Sequence, residues 1–416
     1  MLNIIGITSW ILLSVLMVMG STVQSQPLPI ALWESALQKN PQLESYRQKL
    51  KTREAMMRTV GEWPGLELEA GVLTRPMELL MGDQRFSFTA TQMIPRYRLF
   101  DLERKEISYM KMADQSTLDE AALMIRKELT MAWIERVTLE HEMLLMDQSI
   151  ALVKQLKDAV ETKIKTGQSS SDWLRLDIRL LEMEDDHVAM DDKIEAIDYR
   201  IWQLIGDSLR NPIPVVDSLV YTPFDFPISP PDFSTHPSVQ TRLSEAQAAR
   251  VRADMSSQMA RPMLGVGLQY IPLRQRSSME SKTDGKDMVM PMVKMSIPLS
   301  KSAIKASSEV SSSESIGFEW EANNRISELE IEWTSILSEI RMARRNIVTA
   351  KQQELLTRQL FENTKRDYES GMGSIEMLIE MQDMLLMYRM KALEATMQHQ
   401  MSLARLEELQ PGMFRN

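Results

Sequence analysis

The stretch "LDEAALMIRKELTMAWIERVTLEHEMLLMDQSIALVKQLKDAVETKI", residues 118–164, contains neither glycine nor proline, and its apolar residues recur at alternating steps of four and three. The seam runs Leu118, Ala122, Ile125, Leu129, Ala132, Arg136, Leu139, Met143, Met146, Ile150, Val153, Lys157, Val160 and Ile164, and only Arg136 and Lys157 interrupt it. That is heptad spacing, and it predicts a coiled-coil helix. The breaker-free run extends outward from 96 to 166, and a helix of about 70 residues reaches roughly 100 Å. Ile94-Pro95 precedes it, Gly167 and Ser169 to Ser171 follow it as a turn, and Asp172 is expected to cap a helix returning to about Ser208.

The same shape occurs twice. Residues 299–370 carry only Gly317 as a breaker, Ile297-Pro298 stands where Ile94-Pro95 stood, and "SGMGS" at 370–374 matches the first turn. His236-Pro237 likewise answers Asn40-Pro41 at a similar offset. A duplicated unit follows from this recurrence. The first repeat covers 26–211 and the second 236–410, with a linker at 212–235 that sits in a region holding seven of the chain's 18 prolines between 211 and 237.

Ahead of each long run lie segments with period-two alternation. "PGLELEAGVL" puts Leu66, Leu68, Ala70 and Val72 on one face and Glu67, Glu69 and Gly71 on the other, and "RFSFTATQMIP" repeats the pattern with Phe86, Phe88 and Ala90. These predict strands over about 64–73 and 85–95, joined through "TRPMELLMGDQ". The second repeat offers strands over about 262–271 and 287–298. The matching helical hairpins are expected over about 99–208 and 303–408.

Composition narrows the class. A net charge of −10 speaks against a nucleic-acid partner, and the absence of cysteine excludes disulfides and thiolate metal sites. Residues 1–25 carry no charged side chain and hold an apolar stretch followed by Val23 and Ser25, which reads as a signal peptide cleaved before Gln26, the alternative being an N-terminal membrane anchor. No later apolar run is long enough for a spanning helix, so membrane insertion of the mature chain would be by strands. Four amphipathic strands alone leave two open edges and an apolar face in water. Sharing a barrel between chains removes both problems, and three copies would supply enough strands for an aqueous lumen.

Asn40-Pro41 with His236-Pro237, Ile94-Pro95 with Ile297-Pro298, Gly167 with Ser169 to Ser171, and "YESGMGSIEMLIEMQDML" from Tyr368 together resemble the TolC-type outer-membrane efflux protein family, over about residues 28–410. The resemblance implies a mainly α chain with a membrane β-barrel. Its fold would be a two-fold repeat of β-hairpin plus helical hairpin, with a trimeric, 12-stranded barrel in outer-membrane lipid and a periplasmic α-helical tunnel. It implies a homotrimeric exit duct that is not an enzyme and needs no cofactor, docked to a periplasmic adaptor protein and an inner-membrane pump. By the same resemblance the pore constriction falls at Glu380, with Met377 where a second acidic residue is often found and Glu376 one turn away. The turns, at Gly167, Ser169, Ser170, Gly371 and Ser374, are the expected adaptor-docking tips.

Methionine is the compositional outlier, with 34 residues. Thioether sulfur suits soft metal ions, which makes Met288, Met290 and Met292, alternating on one strand face with Lys294 and Ser296, candidates for a metal-ion path. The plainer reading is adaptable packing. His141, His187, His236 and His399 show no ligand spacing and read as packing or solvent-facing residues. Trp63 and Tyr270, near strand ends, suit a membrane interface or packing between helix and barrel. Two other classes remain: an exported coiled-coil scaffold whose strand-like segments are loops, and a soluble metal chaperone.

Overall fold

The computed structural model describes residues 28–79, 82–164, 170–214, 229–275 and 285–410. The expected signal peptide, most of the linker, and Gly167 and Ser169 of the first tip lie outside the described residues. In chain order the elements are α1 (Ile30–Lys39), α2 (Pro41–Thr59), β1 (Glu67–Leu79), β2 (Gly82–Met93), α3 (Tyr97–Ile164) and α4 (Ser171–Ile205). After the linker come α5 (Pro237–Met259), β3 (Met263–Ile271), β4 (Leu273–Arg274), β5 (Met288–Ser296), α6 (Lys301–Glu369) and α7 (Ile375–Leu409). The architecture is mainly helical with a small antiparallel sheet.

The recurring Asn-Pro and His-Pro pairs are helix starts. Proline at the first helical position loses no intrahelical bond, and the preceding side chain caps the exposed amides. Asn40 Oδ1 accepts from Gln42 N at 2.9 Å and Leu43 N at 3.2 Å, while His236 Nδ1 accepts from Ser238 N at 3.3 Å. Asn40 also donates through Nδ2 to Leu204 O at 2.8 Å, tying the start of α2 to the end of α4.

α3 and α6, of 68 and 69 residues, run the length of the molecule. α2 and α5 pack beside α3 at the sheet end, and α5 fills the space between α3 and α6. Toward the tips the row becomes α4, α3, α7, α6: α3 packs on α4 and α7, and α6 packs on α7. The seam read from 118–164 turns inward, with Ile125, Leu129, Ala132, Val153 and Val160 buried. Its two charged breaks are paired toward α4. Arg136 Nε donates to Asp198 Oδ1 at 2.5 Å, and Lys157 pairs with Asp177 and lies 4.3 Å over the Trp173 ring. The buried Arg136 and the partly buried Lys157 thus each keep a counter-charge, without which the seam would bear an uncompensated charge.

The sheet order is β1-β2-β3-β5, with β4 paired to β2. β1 and β2 run further than expected, into the segment read as a turn. Pro76 is tolerated because β1 is an edge strand, where a missing ladder donor costs little, and the register breaks between Val72 and Met77. Asp172 also differs from expectation: α4 begins at Ser171 after Ser170, so the carboxylate lies in the first turn and favours it through the helix dipole rather than as the cap. The alternative in which the strand-like segments are loops is excluded by this pairing.

Register sorts the side chains into two faces. Leu68 pairs with Ala90, Ala70 with Phe88, Phe88 with Tyr270, and Leu264 with Met295. The opposite face holds Glu67 opposite Thr91, Glu69 opposite Thr89, Gly267 opposite Met292 and Gly265 opposite Lys294. On the first face Leu68 is 74% and Val293 78% exposed, values that large aliphatic side chains in water do not sustain as a contiguous patch. The second face is concave. Lys294 Nζ on edge strand β5 meets Glu67 Oε2 on edge strand β1 at 2.6 Å, although three strand spacings of about 4.8 Å separate the two strands along the sheet. Only a sheet curled toward this face brings the two side chains together.

Candidate functional site at the hairpin tips

The second tip is built by its glycines. Gly371 has φ +82°, in the left-handed region. The amides of Met372 and Gly373 both donate to Asp367 O, at 2.9 and 3.1 Å, satisfying carbonyls at the end of α6. A Cβ on Gly373 would lie 2.9 Å from Tyr368 N, so the return of the chain requires glycine there. Ser374 then caps α7, its Oγ accepting from Met377 N at 3.3 Å. Ser170, Gly371 and Ser374 are all exposed, as a docking surface would need.

Just beyond the cap, α7 carries Glu376, Glu380 and Asp383 at heptad steps, and α4 carries Arg175 and Arg179 opposite them. Arg175 pairs with Glu376. Arg179 donates to Asp383 Oδ1 through Nη2 at 2.8 Å and Nε at 2.9 Å, and Nη1 also reaches Glu182 at 3.0 Å. Burial pushes the Asp383 carboxyl above its ordinary range, against the pull of Arg179. Glu380 lies between the two bridges, exposed and without an ion-pair partner among the described residues. The two acidic candidates therefore differ in kind: Glu376 is neutralised by α4, and Glu380 is the carboxylate left open. Sequence reasoning missed Arg175, Arg179 and Asp383, because only packing shows that α4 and α7 meet here. The available signal was the matched i, i+4 arginines on α4.

Further from the tip, α4 and α7 stand apart over α3 and enclose a cleft of about 470 Å³ lined by Glu135, Thr138, Glu142, Lys193, Glu394 and Met397. Burial, and then the Glu394 charge, push the Glu142 carboxyl above its usual range. Helical periodicity alone makes Glu142 an ordinary residue of the long helix.

The remaining candidates are distributed elsewhere. Met288, Met290 and Met292 stand on the concave face of the sheet with Lys294 and Ser296, each pairing across to β3. Among the described residues no group of three or more His, Cys, Asp or Glu side chains could hold a metal ion. His141 Nδ1 lies 2.7 Å from Val137 O, His187 Nε2 lies 3.2 Å from Asp147, and His236 caps α5. Burial holds the His399 imidazole down to about 4. Among the described residues none of the four belongs to a group of three or more metal-ligating side chains. Trp63 is exposed ahead of β1, and Tyr270 donates to Asp287. Among the described residues no helix is long and apolar enough to cross a membrane.

No protein-family model and no curated protein matches the sequence. Solved structures do. The outer-membrane channel OprN superposes with a TM-score of 0.75 at 14% identity, over 93% of this chain and 90% of that one. CusC, described for conformational changes accompanying folding and transmembrane channel formation, gives 0.74 at 12% identity, over 91% of each chain. The outer membrane protein VceC of Vibrio cholerae gives 0.71 at 12%, over 91% of this chain and 95% of that one. At these identities the likeness establishes the fold, and it extends over nearly the whole chain.

Proposed function

We propose that this chain is one protomer of a homotrimeric outer-membrane exit duct, passing substrates delivered by an inner-membrane pump and a periplasmic adaptor protein to the exterior. The observation that carries the reading is the sheet: curled, apolar on its convex face, polar on its concave face, and unpaired at its β1 and β5 edges among the described residues. Backbone groups at such edges cannot face hydrocarbon unpaired. Three sheets joined edge to edge make a closed barrel of twelve strands with Leu68, Phe86, Phe88 and Val266 toward lipid and Glu67, Thr89 and Lys294 toward water. The fold it shares with OprN, CusC and VceC supports the same reading. A scaffold or a soluble chaperone has no use for an exposed apolar sheet face.

In this reading the two helical hairpins form the periplasmic tunnel, and their tips, at Gly167, Ser169, Ser170, Gly371 and Ser374, receive the adaptor. Glu380 lines the constriction, and three copies bring three carboxylates together, which attracts cations and raises the ring's apparent pKa. Arg175 to Glu376 and Arg179 to Asp383 hold α7 against α4. The methionine row Met288, Met290 and Met292 would line the lumen and suits soft metal ions as one class of substrate.

The test is a heat-modifiable trimer in the outer-membrane fraction, followed by single-channel recording in planar bilayers. Glu380→Gln should weaken block by multivalent cations with little change in open time. Asp383→Asn should instead lengthen openings by releasing Arg179. Unaltered block in Glu380→Gln moves the constriction away from this residue, and a protein that remains soluble and monomeric removes the duct.

A further inference from the structure

The lower half of the molecule is a row of four helices with two free edges, α4 at one end and α6 at the other. Both edges carry features that a solvent-facing coiled coil does not need. On α4, Leu174, Ile178, Leu181 and Val188 follow a second heptad row and are 54 to 63% exposed. This row points away from the seam that packs on α3, where Leu176, Leu180 and Met183 are buried. On α6, Val348, Leu355, Leu356 and Leu360 are 47 to 65% exposed.

The charges on the two edges are opposite. Asp185, Asp192 and Glu195 continue the α4 row, while Arg341, Arg345 and Lys351 lie on the exposed side of α6. All six are exposed and have no ion-pair partner among the described residues. The internal repeat supplies the alignment. α7 of the second repeat packs on α3 of the first, with Arg126 bonded to Glu407 at 2.7 Å and Lys127 to Glu408 at 2.8 Å. The equivalent pair left without an intrachain counterpart is α4 against α6. Carrying over the level of the α3 and α7 contacts, or aligning the two tips, sets Leu181 and Ile178 beside Leu355 to Leu360. It sets Asp185 near Lys351, and Asp192 and Glu195 near Arg341 and Arg345. Apolar then meets apolar and acid meets base along the whole length.

We infer that the outer row of α4 docks on the exposed face of α6 of a second copy of this chain, with Asp185, Asp192 and Glu195 against Lys351, Arg345 and Arg341. The α6 to α4 contact between copies repeats the α3 to α7 contact within one copy and closes the row into a ring. This rests on the trimeric reading above and adds to it the helices that meet, their register and the charges that select it. Buried charges of one sign opposite the other favour this pairing over like-to-like α4 or α6 contacts, which would bring like charges together.

The chain has no cysteine, so pairs can be introduced without background. Asp192→Cys with Arg345→Cys in the full chain, oxidised in outer-membrane fractions, should give a ladder ending at the trimer, and neither single variant should do so. Asp192→Lys with Glu195→Lys should lower trimer yield several-fold, and adding Arg341→Glu with Arg345→Glu should restore it, which a folding defect would not allow. A heat-modifiable trimer that forms normally but does not crosslink overturns this interface and leaves the duct standing. Crosslinks to a different protein also overturn it, since the row would then belong to another partner. A wild-type chain that never forms a trimer overturns both this inference and the reading beneath it.

Discussion

Phe88 and Thr89 are neighbours on β2 and point to opposite faces, so a lysine at each is a paired test of the sheet. Phe88 pairs with Ala70 and Tyr270 on the convex side, and Thr89 pairs with Glu69 and Gln269 on the concave side. If the convex face meets lipid, Phe88→Lys places an ammonium in hydrocarbon at about 2–4 kcal/mol per copy near the midplane, and about 6–12 kcal/mol for three copies. Since about 1.4 kcal/mol is a factor of ten, even the lower value suppresses assembly by about four orders of magnitude. Thr89→Lys instead sets a cation opposite Glu69, a cross-strand pair worth about 0.2–1 kcal/mol in its favour. The assay is the yield of heat-modifiable trimer from outer-membrane fractions, with total expression as reference. Equal yields for the two variants would refute the assignment of faces and, with it, the barrel.

Three further outcomes follow from the same geometry. Because burial and Glu394 raise the Glu142 carboxyl, the stability it contributes is full below its unfolded value of 4.5 and is lost as pH rises through the folded one. Glu142→Gln should therefore melt above wild type at neutral pH and lose that advantage on acidification, as thermal melts across pH would show. His399 has the opposite sign. Its imidazole, held to about 4 against an ordinary 6.5, contributes stability present above 6.5 that is lost as pH falls through about 4, worth on the order of 3 kcal/mol. His399→Leu should flatten the acid limb of the melting profile by a comparable amount. Gly371→Ala should cost about 1–2 kcal/mol from the left-handed backbone alone, because no atom lies within 4 Å of its added methyl. Gly373→Ala, which meets Tyr368 N, should cost more, and a reversed order in denaturant titration would count against this tip geometry.

Much of the architecture is written in local pattern. The heptad seam from Leu118 to Ile164, the alternation at Glu67 to Val72 and at Phe86 to Ala90, and the repeated Asn-Pro and His-Pro helix starts each have a short-range cause in periodicity or in proline's missing amide. Those features determine long helices, amphipathic strands and a duplicated unit before any contact is known. Tertiary structure decided what period cannot encode. The extension of β1 through Pro76 depends on β1 being an edge strand. The concavity of the sheet rests on Lys294 reaching Glu67 across it. At the tip, Glu376 and Glu380 are both acidic residues of one helix face by sequence, and only the approach of Arg175 on α4 makes one of them neutralised and the other open. Glu142 and Glu394 are far apart along the chain and are coupled only because α3 and α7 pack side by side. Spacing along a helix sets which residues share a face; which face meets which neighbour is set by burial and charge pairing across the whole chain.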